Sequence, residues 1–292
     1  MSIAAVRQKL AAPVVIRVGH RVILLRAQHQ CYAEYIRRDF DYYFGAVDSA
    51  RVGEDHVVDF STPRNHRVQG FDDFPIFCSS LAEPYDWCVQ YLEHAGVLAG
   101  ATVLDLGAYC GLTTIAFSKA VGATGRVVAL ERDSENHAAA VLNLERHAKH
   151  SGLTNVLITR ACVAGTAKMV PFLSEGSRGS LARSVAVGER ETGRPRPVQG
   201  ITMLELATSL QLSRVDFVKM DIEGMEREVI ATARAFLDQF RPRMIIEPHS
   251  VRGALTTDDV CGLLAGMRYT TEVIAQRGIT VPLIVAVPTP EH

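Results

Sequence analysis

The chain has 292 residues, enough for one large α/β domain with an extension, and its 31 Lys and Arg against 32 Asp and Glu leave a formal net charge of −1. A chain so balanced has no global field to draw nucleic acid or an anionic membrane, and only local patches remain open to such partners. Six cysteines, at 31, 78, 88, 110, 162 and 261, form no C-x-x-C pair and have no His-rich partner segment, so they read as reduced thiols of a cytoplasmic protein. The amino terminus meets Arg7 and Lys9 before any signal-like apolar core. The longest uncharged apolar run, "ITVPLIVAVPTP", is broken by prolines and too short for a bilayer span, which suits a buried strand near the sheet's end.

Residues 1–80 read as an N-terminal extension. It holds a hairpin, "PVVIRVGHRVILL", turning near Gly19 and His20, then an aromatic-rich helical segment with Tyr32, Tyr35, Phe40, Tyr42, Tyr43 and Phe44 expected to pack as core. Residues 81–292 read as the main domain, in which apolar strand-like runs alternate with helical periodicity. "ATVLDL" is the first strand and "GLTTIAFSKAVG" a helix that Gly122 stops; "GRVVALE" is the second strand, followed by a helix that Ser134 can cap and Gly152 ends. "NVLITRACVA" gives a third strand, "VDFVKMD" a fourth, "MEREVIATARAFLDQF" a helix, "PRMIIEP" a fifth strand and "TTDDVCGLLAGM" another helix. Strands apolar throughout and separated by helices imply a doubly wound, mostly parallel sheet. Between the third and fourth strands, 174–200 is an insertion rich in Gly, Ser, Arg and Pro, read as a solvated hairpin or loop. A second reading makes it a lid whose Arg178 and Arg183 meet a polar substrate.

The first strand leads into "DLGAYCGL", a D-x-G-x-x-x-G turn made by Asp105, Gly107 and Gly111, with Ala108 and Tyr109 between the glycines. Strand, glycine turn and helix start together form a nucleotide-binding corner. The dinucleotide fingerprint G-x-G-x-x-G is absent, and a carboxylate at Asp105 would repel a diphosphate while suiting a cation such as the sulfonium and ammonium of S-adenosylmethionine. Glu131, twenty residues after Gly111, is placed to accept both ribose hydroxyls of an adenosine, or else to cap the next helix. Arg132 and Cys162 complete the expected cofactor-binding set.

The blocks "VLDLGAYCG", "VVALERD", "DFVKMDIEGME" and "MIIEPHS" stand in the order and spacing of the FkbM-type S-adenosylmethionine-dependent methyltransferases, which this chain resembles over about residues 80–290. The most specific element is K-x-D-x-E-G-x-E, here Lys219, Asp221, Glu223, Gly224 and Glu226; the family commonly has Asn where this chain has Tyr109. The resemblance implies a Rossmann-like, seven-stranded class I methyltransferase sheet whose last strand is antiparallel, with S-adenosyl-L-methionine over the carboxyl ends of the first strands. It also implies O-methylation of a natural product, sugar or glycan.

Methyl transfer to an alcohol needs alignment and removal of a proton. Asp221 and Glu223 end the fourth strand, Glu247 and His249 the fifth, and residues two apart in an extended chain point the same way, so these four are the candidate catalytic groups. His249 or Asp221 leads as general base; helix capping is the structural alternative for Asp221 and Glu223. A less favoured option has Asp221, Glu247 and His249 hold a divalent metal, since magnesium prefers oxygen donors to imidazole. His147 and His150 read as a solvated helix face and Cys110 as apolar filler. Two other readings share the fold: a nicotinamide-dependent oxidoreductase, and a non-catalytic binder of an adenosine cofactor. The expected partner is a small-molecule or glycan acceptor, with no nucleic acid or membrane and with room for a homo-oligomer.

Overall fold

The computed structural model describes residues 12–173, 180–181, 196–251 and 253–290. Strands β1 (Val14–Val18) and β2 (Arg21–Leu25) form the expected antiparallel hairpin, with Gly19 at φ +59° in its turn. A 3-10 turn over Ala27–Tyr32 leads into helices α1 (Ala33–Arg38) and α2 (Phe40–Gly45). Four strands then follow: β3 (Ala50–Val52), β4 (Asp55–Asp59), β5 (Arg64–Val68) and β6 (Phe71–Cys78). A sheet in the order β1-β2-β4-β3 packs with α1 and α2 around Ile23, Leu25, Ile36, Phe40, Val58 and Phe60. The aromatic segment is thus partly core, as its composition suggests. The four later strands escape a periodicity reading because short segments such as "DHVVD" and "RNHRV" carry too few apolar positions.

The main domain begins at α3 (Tyr85–Glu93) and continues through β7 (Thr102–Leu106), α4 (Leu112–Val121), β8 (Arg126–Leu130), α5 (Ser134–Ser151) and β9 (Val156–Thr159). Next come β10 (Cys162–Val163), β11 (Met169–Leu173), β12 (Ser180–Leu181), β13 (Arg196–Ile201), α6 (Met203–Ser209) and β14 (Phe217–Met220). The chain closes with α7 (Glu226–Thr232), α8 (Arg234–Phe240), β15 (Arg243–Ile246), β16 (Ser250–Val251), β17 (Ala254–Leu255), α9 (Thr257–Ala265), β18 (Tyr269–Ile274) and β19 (Leu283–Pro288). Seven strands make the central sheet in the order β18-β19-β15-β14-β7-β8-β9; β19 runs antiparallel to both neighbours and every other adjacent pair is parallel. This is the doubly wound Rossmann-like sheet of class I methyltransferases, last strand reversed. Its two faces bury separate apolar clusters, one under α3 and α4 around Phe117 and Phe217, the other under α6 to α9 around Met220 and Phe236.

Three local expectations change. "NVLITRACVA" is two strands: exposed Thr159 and Arg160 break it, β9 stays in the main sheet, and β10 pairs with β13 in a second sheet. The helix over "MEREVIATARAFLDQF" breaks at Ala233, where ψ reaches 2° and separates α7 from α8. The cap of α5 is Asp133 rather than Ser134, since the Asp133 carboxylate accepts the amides of Glu135 and Asn136. Within 174–200, Ser180–Leu181 and residues 196–200 pair as strands, while Arg178 and Arg183, the expected lid arginines, lie outside the described residues. Among the described residues no helix is long and apolar enough to cross a membrane.

Candidate active site

The turn after β7 takes its shape from neighbouring backbone. The Gly107 and Ala108 amides both donate to the Leu130 carbonyl on β8, and the Gly111 amide donates back to Ala108. Gly107 has φ +89°, and a side chain there would overlap the Asp221 carbonyl at the end of β14. Gly111 has φ +84° and sits 3.3 Å, measured from where a Cβ would be, from Ala140 of α5. Tyr109 is itself left-handed at φ +48°. Its amide donates to Glu131 (2.9 Å) and its hydroxyl to the Leu81 carbonyl (2.6 Å), so the ring ties the turn to the segment preceding α3. Cys110 is buried in the apolar cluster beneath, as filler.

Asp105 does not play the part its sequence position suggests. The residue is 0 % exposed, accepts a hydrogen bond from Thr114 of α4 (2.6 Å) and has the Lys219 ammonium 3.5 Å away. The register of β14 against β7 sets Lys219 directly beside Asp105, so the carboxylate is paired inside the sheet and lines neither of the two cavities at the turn. The charge of Asp105 therefore does not select a sulfonium over a diphosphate. Lys219 also donates to the Gly107 carbonyl (2.6 Å) and stands 3.5 Å from Asp221, locking turn and strand end together. Burial works against its charge, but Asp221, Asp105 and Glu247 outweigh that and hold its pKa above the usual lysine value.

Two cavities meet at the Gly107–Tyr109 turn. The smaller is lined by Glu131, Arg132, Asn136, Cys162 and Ile222, together with Gly107 and Asp221. Glu131 ends β8 with one oxygen accepting the Tyr109 amide and the other the Asp133 amide (2.7 Å). Burial pushes its pKa up to about 8 against those two donors. Each oxygen keeps a second acceptor position. The larger cavity is walled by Tyr32, Tyr35 and Tyr43 of the N-terminal part and by Trp87 and Tyr91 of α3. The extension is thus a wall of the site as well as a packing unit.

At the junction stand the four candidate catalytic residues, together with two that the strand-end argument passed over. The Asp221, Glu223 and Glu247 carboxylates lie 3.7, 3.6 and 3.7 Å from His249 Nε2. Glu226, 0 % exposed, accepts from His249 Nδ1 at 3.0 Å, and its same oxygen accepts the amides of Ile222 and Gly224. Glu226 therefore closes the turn before α7, and no side-chain capping bond from Asp221 or Glu223 is needed there; Glu223 sits in it at φ +55°. Burial disfavours a charged His249, yet Glu226, Glu223 and Asp221 prevail and raise its pKa well above the ordinary histidine value. A ring favoured in its charged form is a poor acceptor of a further proton, which favours a carboxylate of the cluster over His249 as the general base. Glu247 accepts from the Tyr91 hydroxyl (3.3 Å), and burial followed by Asp221 raises its pKa. The sequence reading also missed Glu83, which reaches into the larger cavity with a pKa raised to about 7 by desolvation and by Asp221. Tyr42 and Tyr109 hold its segment by donating to the Ala82 and Leu81 carbonyls. A lysine within the otherwise apolar "FVKM" was a legible sign of a buried ion pair; Glu83 had no such sign. On α5, His147 is buried and bonded to Ser118 (2.9 Å), which corrects its reading as solvated, whereas His150 is exposed.

A family model described as the methyltransferase FkbM domain matches residues 105–270, more than half of the chain. The transmembrane O-methyltransferase of Pan troglodytes is 35% identical over 65 residues, which cover 18% of this chain and 22% of that protein. Among solved structures, methyltransferase FkbM from Methylobacillus flagellatus superposes with a TM-score of 0.47 at 13% identity, covering 69% of this chain and 47% of that one. An O-methyltransferase from Bacillus cereus, in complex with SAH, gives 0.45 at 16% identity over 72% of this chain and 83% of its own. By the span of the family match, which runs from Asp105 through the glycine turn and the Lys219–Glu226 motif to the start of β18, this chain belongs to the FkbM methyltransferase domain family.

Proposed function

We propose that this chain transfers the methyl group of S-adenosylmethionine to a hydroxyl oxygen of a small natural product, sugar or glycan. The observation that carries the reading is the meeting of two cavities at Gly107–Tyr109, one ending on Glu131 and the other on a carboxylate cluster. The donor set suits the nucleoside: Glu131 accepts ribose hydroxyls, Arg132 and Cys162 line the same cavity, and glycine at 107 lets the turn that borders it pack directly on the Asp221 carbonyl. When bound, S-adenosylmethionine supplies an activated methyl carbon. The chain's own residues align the acceptor between the tyrosine-lined wall and the turn, exclude water, and receive the hydroxyl proton on a carboxylate of the cluster. Oxygen as the accepting atom is supported by the O-methyltransferase relative, though the match covers only 22% of it. A nicotinamide oxidoreductase is disfavoured by family membership and by the absence of a second glycine at Ala108–Tyr109.

Thermal unfolding with S-adenosylhomocysteine or NAD tests the reading. At 100 times its dissociation constant S-adenosylhomocysteine adds about 2.7 kcal/mol of stability, and NAD adds none. Stabilisation by NAD alone rejects it.

A further inference from the structure

We propose that Asp221, Glu247 and His249 form a binding site for one first-row divalent metal ion, with Glu226 orienting the histidine. These three offer ligand atoms that all lie within 4.8 Å of one another. Around an ion with bonds of ~2.1 Å, neighbouring donor atoms stand roughly 3.0–3.5 Å apart; the 3.7 Å from His249 Nε2 to each carboxylate is close to that, and the two carboxylates, within 4.8 Å of each other, draw together on binding.

Two observations separate this from a mere crowd of acids. First, the Asp221 and Glu247 oxygens both face Nε2 at 3.7 Å, just beyond hydrogen-bond range, so donors from two strand ends converge on the same side of the ring. The Glu247 side chain is only 9 % exposed, and while its other oxygen accepts from Tyr91, the oxygen aimed at Nε2 has no hydrogen bond. Second, Nδ1 donates to Glu226, which is fully buried and itself fixed by two backbone amides. That bond keeps the proton on Nδ1 and turns Nε2 toward the carboxylates, the carboxylate–histidine–metal arrangement of protein metal sites.

One imidazole and two carboxylates suit Mn²⁺, Fe²⁺ or Zn²⁺ better than Mg²⁺. The site opens on the larger cavity, where Asp221, Glu247 and His249 are all part of the wall. Its catalytic consequence, polarising the acceptor hydroxyl, rests on the methyl-transfer reading; ion binding does not.

The test uses the full chain, freed of metal by chelation, and follows Mn²⁺ by the loss of its free-ion electron paramagnetic resonance signal. Zn²⁺ and Mg²⁺ compete in separate arms. Wild type takes up one Mn²⁺ per chain, displaced more readily by Zn²⁺ than by Mg²⁺. E247Q and H249A lose at least 100-fold in affinity, E226Q loses roughly 10–100-fold as expected of an outer partner, and the exposed-strand control E272Q is unchanged. E247Q preserves volume, so it keeps the test decisive if H249A fails to fold. No saturable uptake by wild type up to about 1 mM, or uptake that E247Q leaves unaltered, overturns the proposal. S-adenosylhomocysteine binding measured on the metal-free sample fails only if the methyl-transfer reading fails, so the two outcomes stay distinct.

Discussion

Replacing Gly107 by alanine probes the contact on which the site is built. Two costs arise at this position. An L-residue held at φ +89° loses about 1–2 kcal/mol relative to glycine. The added methyl would also overlap the Asp221 carbonyl and lie 2.9 Å from its carbon, and relief of such overpacking costs about 1–3 kcal/mol more. Together G107A loses about 2–5 kcal/mol in urea unfolding. Gly152 supplies the control: it is left-handed at φ +74° after α5, but a side chain there meets nothing within 4 Å, so G152A carries only the conformational cost of about 1–2 kcal/mol. Because relief must move the end of β14, G107A also displaces Asp221 and lowers turnover by about 100-fold, as misplacement by about 1 Å does. Equal destabilisation by the two substitutions would refute the close packing of the glycine turn on β14.

Further outcomes follow from the buried charges. K219M leaves buried Asp105 without the cation that offsets its burial and costs about 3–5 kcal/mol by chemical denaturation, while the double variant D105N/K219M recovers part of that loss; an additive double variant contradicts the pairing. E131Q, whose fold stays intact by circular dichroism, weakens S-adenosylhomocysteine binding tenfold to 100-fold by calorimetry, and unchanged affinity removes Glu131 from the ribose site. Stability also depends on pH through raised pKa values. Glu131 binds its proton up to about pH 8 when folded but only to about 4.5 when unfolded, so the native state holds the extra proton across that window and stability falls as pH rises through it. His249 acts in the same direction above its ordinary value of 6.5, since its charged form is favoured only in the fold. Urea midpoints measured from pH 5 to 8 therefore decline, and decline less in E131Q; a rise with pH, or an identical slope in E131Q, counts against these burials.

The strands of the central sheet were legible where they are apolar on both faces: β7, β8, β14, β15 and β19 each stand out as an uninterrupted run or nearly so. β18 was not, because in "YTTEVI" at the sheet edge only Tyr269 is buried and polar residues interrupt the apolar run. The break at Ala233 has no glycine or proline to announce it. In the site, Gly107 and Gly111 could be read because the turn depends on local backbone. Asp105 was misread because its partner, Lys219, comes 114 positions later and meets it only through strand pairing. The surroundings of His249 were hidden for the same reason: they are assembled from the turn after β14 and the end of β15. The aromatic wall was invisible as a wall, since Tyr32 and Tyr43 serve the extension's packing and the cleft at once.

A crystal structure of the S-adenosylhomocysteine complex tests the central claim most directly. The account predicts both ribose hydroxyls within hydrogen-bond distance of the Glu131 carboxylate and the sulfur at the Gly107–Tyr109 junction, facing the larger cavity. Adenosine seated away from Glu131, or a sulfur pointing away from the Asp221–His249 cluster, would contradict it.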